Sequence, residues 1–177
     1  MSIERLPKRF PKVPIERRAY AFLVDFVTIW LLSSLVGGNI FLQGLVFILL
    51  WFALRVVLVS GNQGQSLGSW AFDMKVLETE YNKVPGIIAL AKREGILGFC
   101  ALLATIGLTI GLANGISLLV LISPLIGDCT IALSDPDTQQ AFHDRIAQTT
   151  IVQTRRGFSL DLRLRKMFAL IQGRMRK

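Results

Sequence analysis

Residues 95–133 read GILGFCALLATIGLTIGLANGISLLVLISPLIGDCTIAL, and the only ionisable side chains among them are Cys100, Asp128 and Cys129. As one helix these 39 residues would run about 58 Å, nearly twice the roughly 30 Å of hydrocarbon in a bilayer. Asn114-Gly115 lies near the middle and is a turn signal. The stretch therefore reads as two membrane spans, 96–112 and 116–133. Pro124 would kink the second, which membrane helices tolerate when neighbours satisfy the freed backbone groups.

Working outward, residues 19–60 are also strongly apolar, and their only ionisable side chains are Tyr20, Asp25 and Arg55. The run 19–36 stops at Gly37-Gly38-Asn39, and 40–59 stops at Gly61-Asn62-Gln63-Gly64. This is a second helical hairpin. Composition agrees: 52% of residues are hydrophobic and 18% charged, against about 25% charged in soluble domains. The first run is longer than a signal-peptide core and no small-residue cleavage signal follows it. Two cysteines, both in apolar runs, provide no disulfide framework.

Charge tests the count of spans, because cytoplasmic segments carry the Lys and Arg. The head holds Arg5, Lys8, Arg9, Lys12, Arg17 and Arg18; the central loop holds Lys75, Lys83, Lys92 and Arg93; nine more bases lie from Arg145 onward. The turns 37–39 and 113–115 hold none. Four spans put every basic segment on one side, whereas three would strand the tail outside. The expected fold is thus an all-α polytopic transmembrane bundle of four spans as two hairpins, both termini cytoplasmic. A transmembrane domain covers 1–153. A basic amphipathic tail covers 154–177, with Leu160, Leu164, Phe168 and Ile171 on one face. Such a tail fits an anionic lipid surface. The net charge of +8 follows from topology, and no nucleic-acid motif accompanies it.

Charges inside a membrane are costly and usually pair or line a wet cavity. Counting from the cytoplasmic ends places Asp25, Arg55 and Asp128 in one layer. Asp25 and Arg55 are expected to pair across the first hairpin, with Asp128 facing the same polar centre. The layer serves either as a structural lock or as a proton or cation relay. Gly107, Gly111 and Gly115 recur every four residues, a spacing that lets helices approach closely. Thr105 and Thr109 are expected to add bonds between helices, and Cys100 and Cys129 to pack as small apolar residues. Residues 70–77 read as an interfacial element with Trp70 at headgroup depth, and Pro85 opens a helix-like run.

No enzyme is expected. The single histidine, His143, is a sequence neighbour of Asp144, and their side chains would normally diverge. No Cys/His cluster has metal spacing, no phosphate loop opens a helix, and no cofactor is implied.

These residues carry a family resemblance. Arg17-Arg18-Ala19 with Asp25 opens the first span. Gly64-Gln65-Ser66-Leu67-Gly68, with Val76 beyond, forms a loop in which Ser69 stands where lysine is usual. Lys92-Arg93-Glu94 precedes the third span, and Phe142-His143-Asp144-Arg145 with Thr149 and Val152 closes the pattern. In this order the chain resembles the RDD family of small bacterial membrane proteins, named for one arginine and two aspartates. The resemblance implies Arg18 (or Arg17), Asp25 and Asp144 as the signature. It also implies the cell membrane, and transport, with cation/proton exchange attributed to some members. Arg55 and Asp128 are outside that signature. Two expectations follow: a small-cation or proton transporter, or a non-transporting scaffold for other membrane proteins. Either would work as a homo-oligomer or within a larger membrane complex.

Overall fold

At Gly37 and Gly38 the backbone takes φ of 64° and 74°, a left-handed conformation that glycine adopts without a steric penalty. Asn39 then caps the next helix, its Oδ1 accepting from the Phe41 N–H at 2.9 Å. This turn joins α1 (Ile15–Ser34) to α2 (Ile40–Gly61). The computed structural model describes residues 13–111, 115–134, 140–154, 159–160 and 163. Residues 1–12 of the basic head and nearly all of the amphipathic tail expected over 154–177 lie outside those residues, while Arg17 and Arg18 lie in α1.

Inside α2, Ala53–Val57 take a π-helical turn. The chain then forms α3 (Leu67–Ala71), β1 (Met74–Glu78), α4 (Ile87–Gly111), α5 (Gly115–Ser134), α6 (Phe142–Ile146) and β2 (Thr149–Gln153). Pro124 lies within α5, which continues past it. The chain is mostly helical, but the all-α expectation needs one correction. β1 and β2 pair antiparallel, Met74 opposite Gln153 and Glu78 opposite Thr149. Of residues 70–77, read as an interfacial element, 74–77 belong to the first of these strands, while Trp70 lies in α3 and is exposed. A second correction concerns α4, which begins at Ile87 rather than at 96. Nothing between Gly86 and the apolar run breaks a helix, so the run opened by Pro85 merges with the apolar helix.

α1 packs on α2 and α3, α2 on α4, and α4 on α5. The central core joins Phe26 and Ile29 of α1, Phe47 and Trp51 of α2, and Leu97, Ala101 and Ala104 of α4. Phe47 and Trp51 stack at 5.6 Å. Trp51 lies so close to α4 that a Cβ at Gly98 would meet its ring at 2.7 Å. Of the glycine series, Gly107 seats Leu121 and Leu118 of α5, while Gly115 has open space around it. The surroundings of Gly111 lie outside the described residues. Thr105 and Thr109 do not bridge helices. They donate to the carbonyls of Ala101 and Thr105 in their own helix, at 3.0 and 2.9 Å, the usual local alternative for threonine. Cys100 is buried and Cys129 exposed.

Candidate functional site

The site is assembled where α1, the end of α2, the start of α4 and the end of α5 come together, closed by α3 and α6. The π-helical turn of α2 contains Arg55 at its midpoint, and such turns are frequent at functional positions. The guanidinium lies 5.0 Å from the Trp51 ring, a cation–π contact. Its Nη1 donates to Asp25 Oδ2 at 2.6 Å, and its Nε and Nη2 donate to the two oxygens of Glu94 at 2.7 and 3.3 Å. Asp25 is further held by the Ser66 hydroxyl at 2.6 Å and the Gly68 N–H at 2.7 Å. Gly68 is close enough for this because it lies directly against the α1 backbone: a Cβ there would meet the Ala21 carbonyl carbon at 2.7 Å.

Glu94 passes the network on. Arg93 Nη1 donates to Glu94 Oε1 at 2.9 Å, and Arg93 Nε donates to Asp144 Oδ1 at 2.8 Å. Arg18 Nη2 donates to Asp144 Oδ2 at 2.5 Å, and the Thr149 hydroxyl donates to Asp144 Oδ1 at 3.4 Å. Burial by itself would raise the Asp144 carboxyl. Arg93, His143 and Arg18 outweigh it and hold the group well below the usual carboxylate range. On the far side, Asp128 Oδ1 accepts the His143 backbone N–H at 3.0 Å, and its Oδ2 lies 2.5 Å from His143 Nδ1. His143 Nε2 lies 3.5 Å from Asp144 Oδ1.

The family signature and the polar layer are therefore parts of one structure. Arg18 and Asp144 meet directly, Asp25 and Arg55 meet directly, and Glu94 with Arg93 links the two pairs. Asp128 meets His143, whose ring lies beside Asp144. Sequence reasoning missed Arg93, Glu94 and His143 as members. Arg93 and Glu94 lie within α4, which starts at Ile87, well before the apolar run that marks it in the sequence. His143 was set aside because adjacent side chains usually diverge, yet here its ring lies between Asp128 and Asp144. The available signal was that Asp128 had no basic residue at a matching depth except Arg55, which Asp25 already claimed.

Asp25, Arg55, Arg93, Arg18 and His143 all border a cavity of about 410 Å³ between α1 and α5. Its remaining walls are mostly apolar, including Phe22 and Leu23 of α1 and Leu125, Ile126 and Leu133 of α5. Among the described residues no group of His, Cys, Asp or Glu is arranged to hold a metal.

The chain is mostly helical, and α2 and α5 are each long and apolar enough to cross a membrane. A mostly helical chain with two such helices has the character of a helical membrane protein. The RDD family matches over residues 12–148, most of the length, and the chain is a member of that family. No curated protein and no solved structure matches it.

Proposed function

We propose that α1–α2 and α4–α5 cross the bilayer as two hairpins, four spans in all, with both termini on the cytoplasmic side of a cell membrane. The network is then the point at which the protein handles a proton or a small cation. The apolar surface supports the spanning reading. Leu31, Phe41, Leu49, Phe99, Ile116 and Leu119, spread over four helices, are all exposed, and a soluble protein rarely leaves such a surface uncovered. One observation carries the transport reading: a continuous buried chain of ionisable groups, Asp25 to Asp128, runs beside a cavity bordered by Asp25, Arg55, Arg93, Arg18 and His143. Buried charges that only fix packing need no such access.

A second reading has its own support. Asp25, Glu94 and Asp144 each have an arginine partner, and a saturated network of this kind is suited to locking a scaffold that docks other membrane proteins. A homo-oligomer or larger complex in an anionic bilayer fits either reading. Purified protein reconstituted in vesicles containing anionic phospholipid and a pH-sensitive dye separates them. Proton movement driven by a sodium or potassium gradient, lost in Asp25→Asn protein that still accumulates, is the expected result. Wild-type vesicles no leakier than empty ones would remove transport and leave the scaffold.

A further inference from the structure

Arg93 is only 3% exposed, yet its guanidinium is not fully used by the network. Its Nε donates to Asp144 and its Nη1 to Glu94, while its Nη2 has no hydrogen-bond partner among the described residues. A donor so enclosed gains from any acceptor brought to it, because leaving it unpaired carries a desolvation penalty. Arg93 borders the cavity between α1 and α5, which is where such an acceptor has room.

The walls say what kind of molecule would bring it. α1 packs on α2 and α3, α5 packs on α4, and the cavity of about 410 Å³ fills the space between α1 and α5. This is the size range of ligand pockets. Phe22 and Leu23 of α1, Leu97 of α4, and Leu125, Ile126 and Leu133 of α5 line it. Leu23, Ile126 and Leu133 are also exposed, so the rim between the two helices is apolar. A space of this kind that opens toward a bilayer is filled more favourably by hydrocarbon than by water.

We propose that the cavity is a phospholipid site, with one acyl chain between α1 and α5 and the headgroup phosphate accepting from Arg93 Nη2. Guanidinium–phosphate bonds are charge-assisted, and basic pockets between membrane helices at the cytoplasmic side suit lipid headgroups. Asp25 also borders the cavity, but its oxygens are already covered by Arg55, Ser66 and the Gly68 N–H. A seated lipid covers the face of the network that borders the cavity. The proposal rests on the two-hairpin reading and not on transport.

Full-length protein purified in mild detergent and stripped of lipid provides the test. It is titrated with phosphatidylglycerol, with diacylglycerol of the same chains and with glycerol phosphate, and bound molecules are counted by native mass spectrometry. One phosphatidylglycerol per chain is expected, with diacylglycerol held about tenfold less tightly, the order of one lost charge-assisted hydrogen bond. Glycerol phosphate is not expected to stay. Wild-type protein that holds no lipid, or holds diacylglycerol equally well, would overturn the proposal, and neither arm needs a variant to fold. Retention of glycerol phosphate as tight as that of the lipid would make this a site for a free anion and overturn it too. Cys129 borders the cavity and is exposed, so Cys129→Phe fills that space and should abolish retention. Leu119→Phe, exposed on α5 and outside the lining, should leave it intact. Equal retention by the two variants would assign the lipid to the general protein surface and sink the site. A chain that stays monomeric without detergent would instead overturn the two-hairpin reading, and the lipid site with it.

Discussion

Asp144 shows how one side chain can tie acid stability to the fold. Its carboxyl is fully buried, which opposes ionisation, yet Arg93, His143 and Arg18 drive it the other way. Its pKa is lowered on folding, so its contribution to stability is complete above the unfolded carboxylate value, near pH 4. It is lost as the pH falls through the lower folded value. The sign follows because the unfolded chain binds the extra proton. Thermal stability in micelles is therefore expected to fall progressively below about pH 5 in the wild type, and to go on falling toward the lower folded value. In Asp144→Asn protein the stability at pH 7 is lower and the acid decline shallower. Parallel declines would assign the acid sensitivity to other groups. The importance of Asp144 came from resemblance alone, because it follows the last apolar run and nothing in the local pattern marks it as buried.

At the scale of elements, the helices were legible and the strands were not. Apolar length and glycine turns define α1, α2 and α5 to within a few residues, since these signals are local. The strands are five residues each and pair across most of the second half of the chain, so neither has a neighbour in sequence to reveal it. Thr149-Thr150-Ile151-Val152 has β-branched character, but a lone short run of that kind also suits a loop. Element packing also explains the glycine-rich loop. Gly64 has φ of 82°, with the Val76 carbonyl oxygen 2.5 Å from any added Cβ, and Gly68 lies on the α1 backbone. Gly68→Ala is accordingly expected to push α3 off α1 and pull its N–H away from Asp25. Accumulation in membranes should drop severalfold, while Gly61→Ala, with open space around it, should be tolerated. Equal accumulation of both variants would show that α3 does not clamp Asp25.

For the molecule as a whole, the proposed topology is tested by position. With Cys100 and Cys129 replaced by alanine, Val36→Cys and Tyr81→Cys each introduce one exposed thiol. An impermeant maleimide added to intact cells should label the first and reach the second only after permeabilisation. Labelling of the second in intact cells would invert or break the two-hairpin arrangement. Sequence reasoning reached this arrangement through charge bias, a property summed over segments. The network was only half legible because its links join residues up to 126 positions apart. The strand pair has one more consequence, which concerns the order of synthesis. β1 leaves the ribosome before α4, α5 and α6, and its edge must wait with open backbone donors and acceptors until Thr149–Gln153 follows. Closure of the two-stranded ribbon thus comes late in synthesis, and a chain halted before Thr149 leaves β1 without its partner strand.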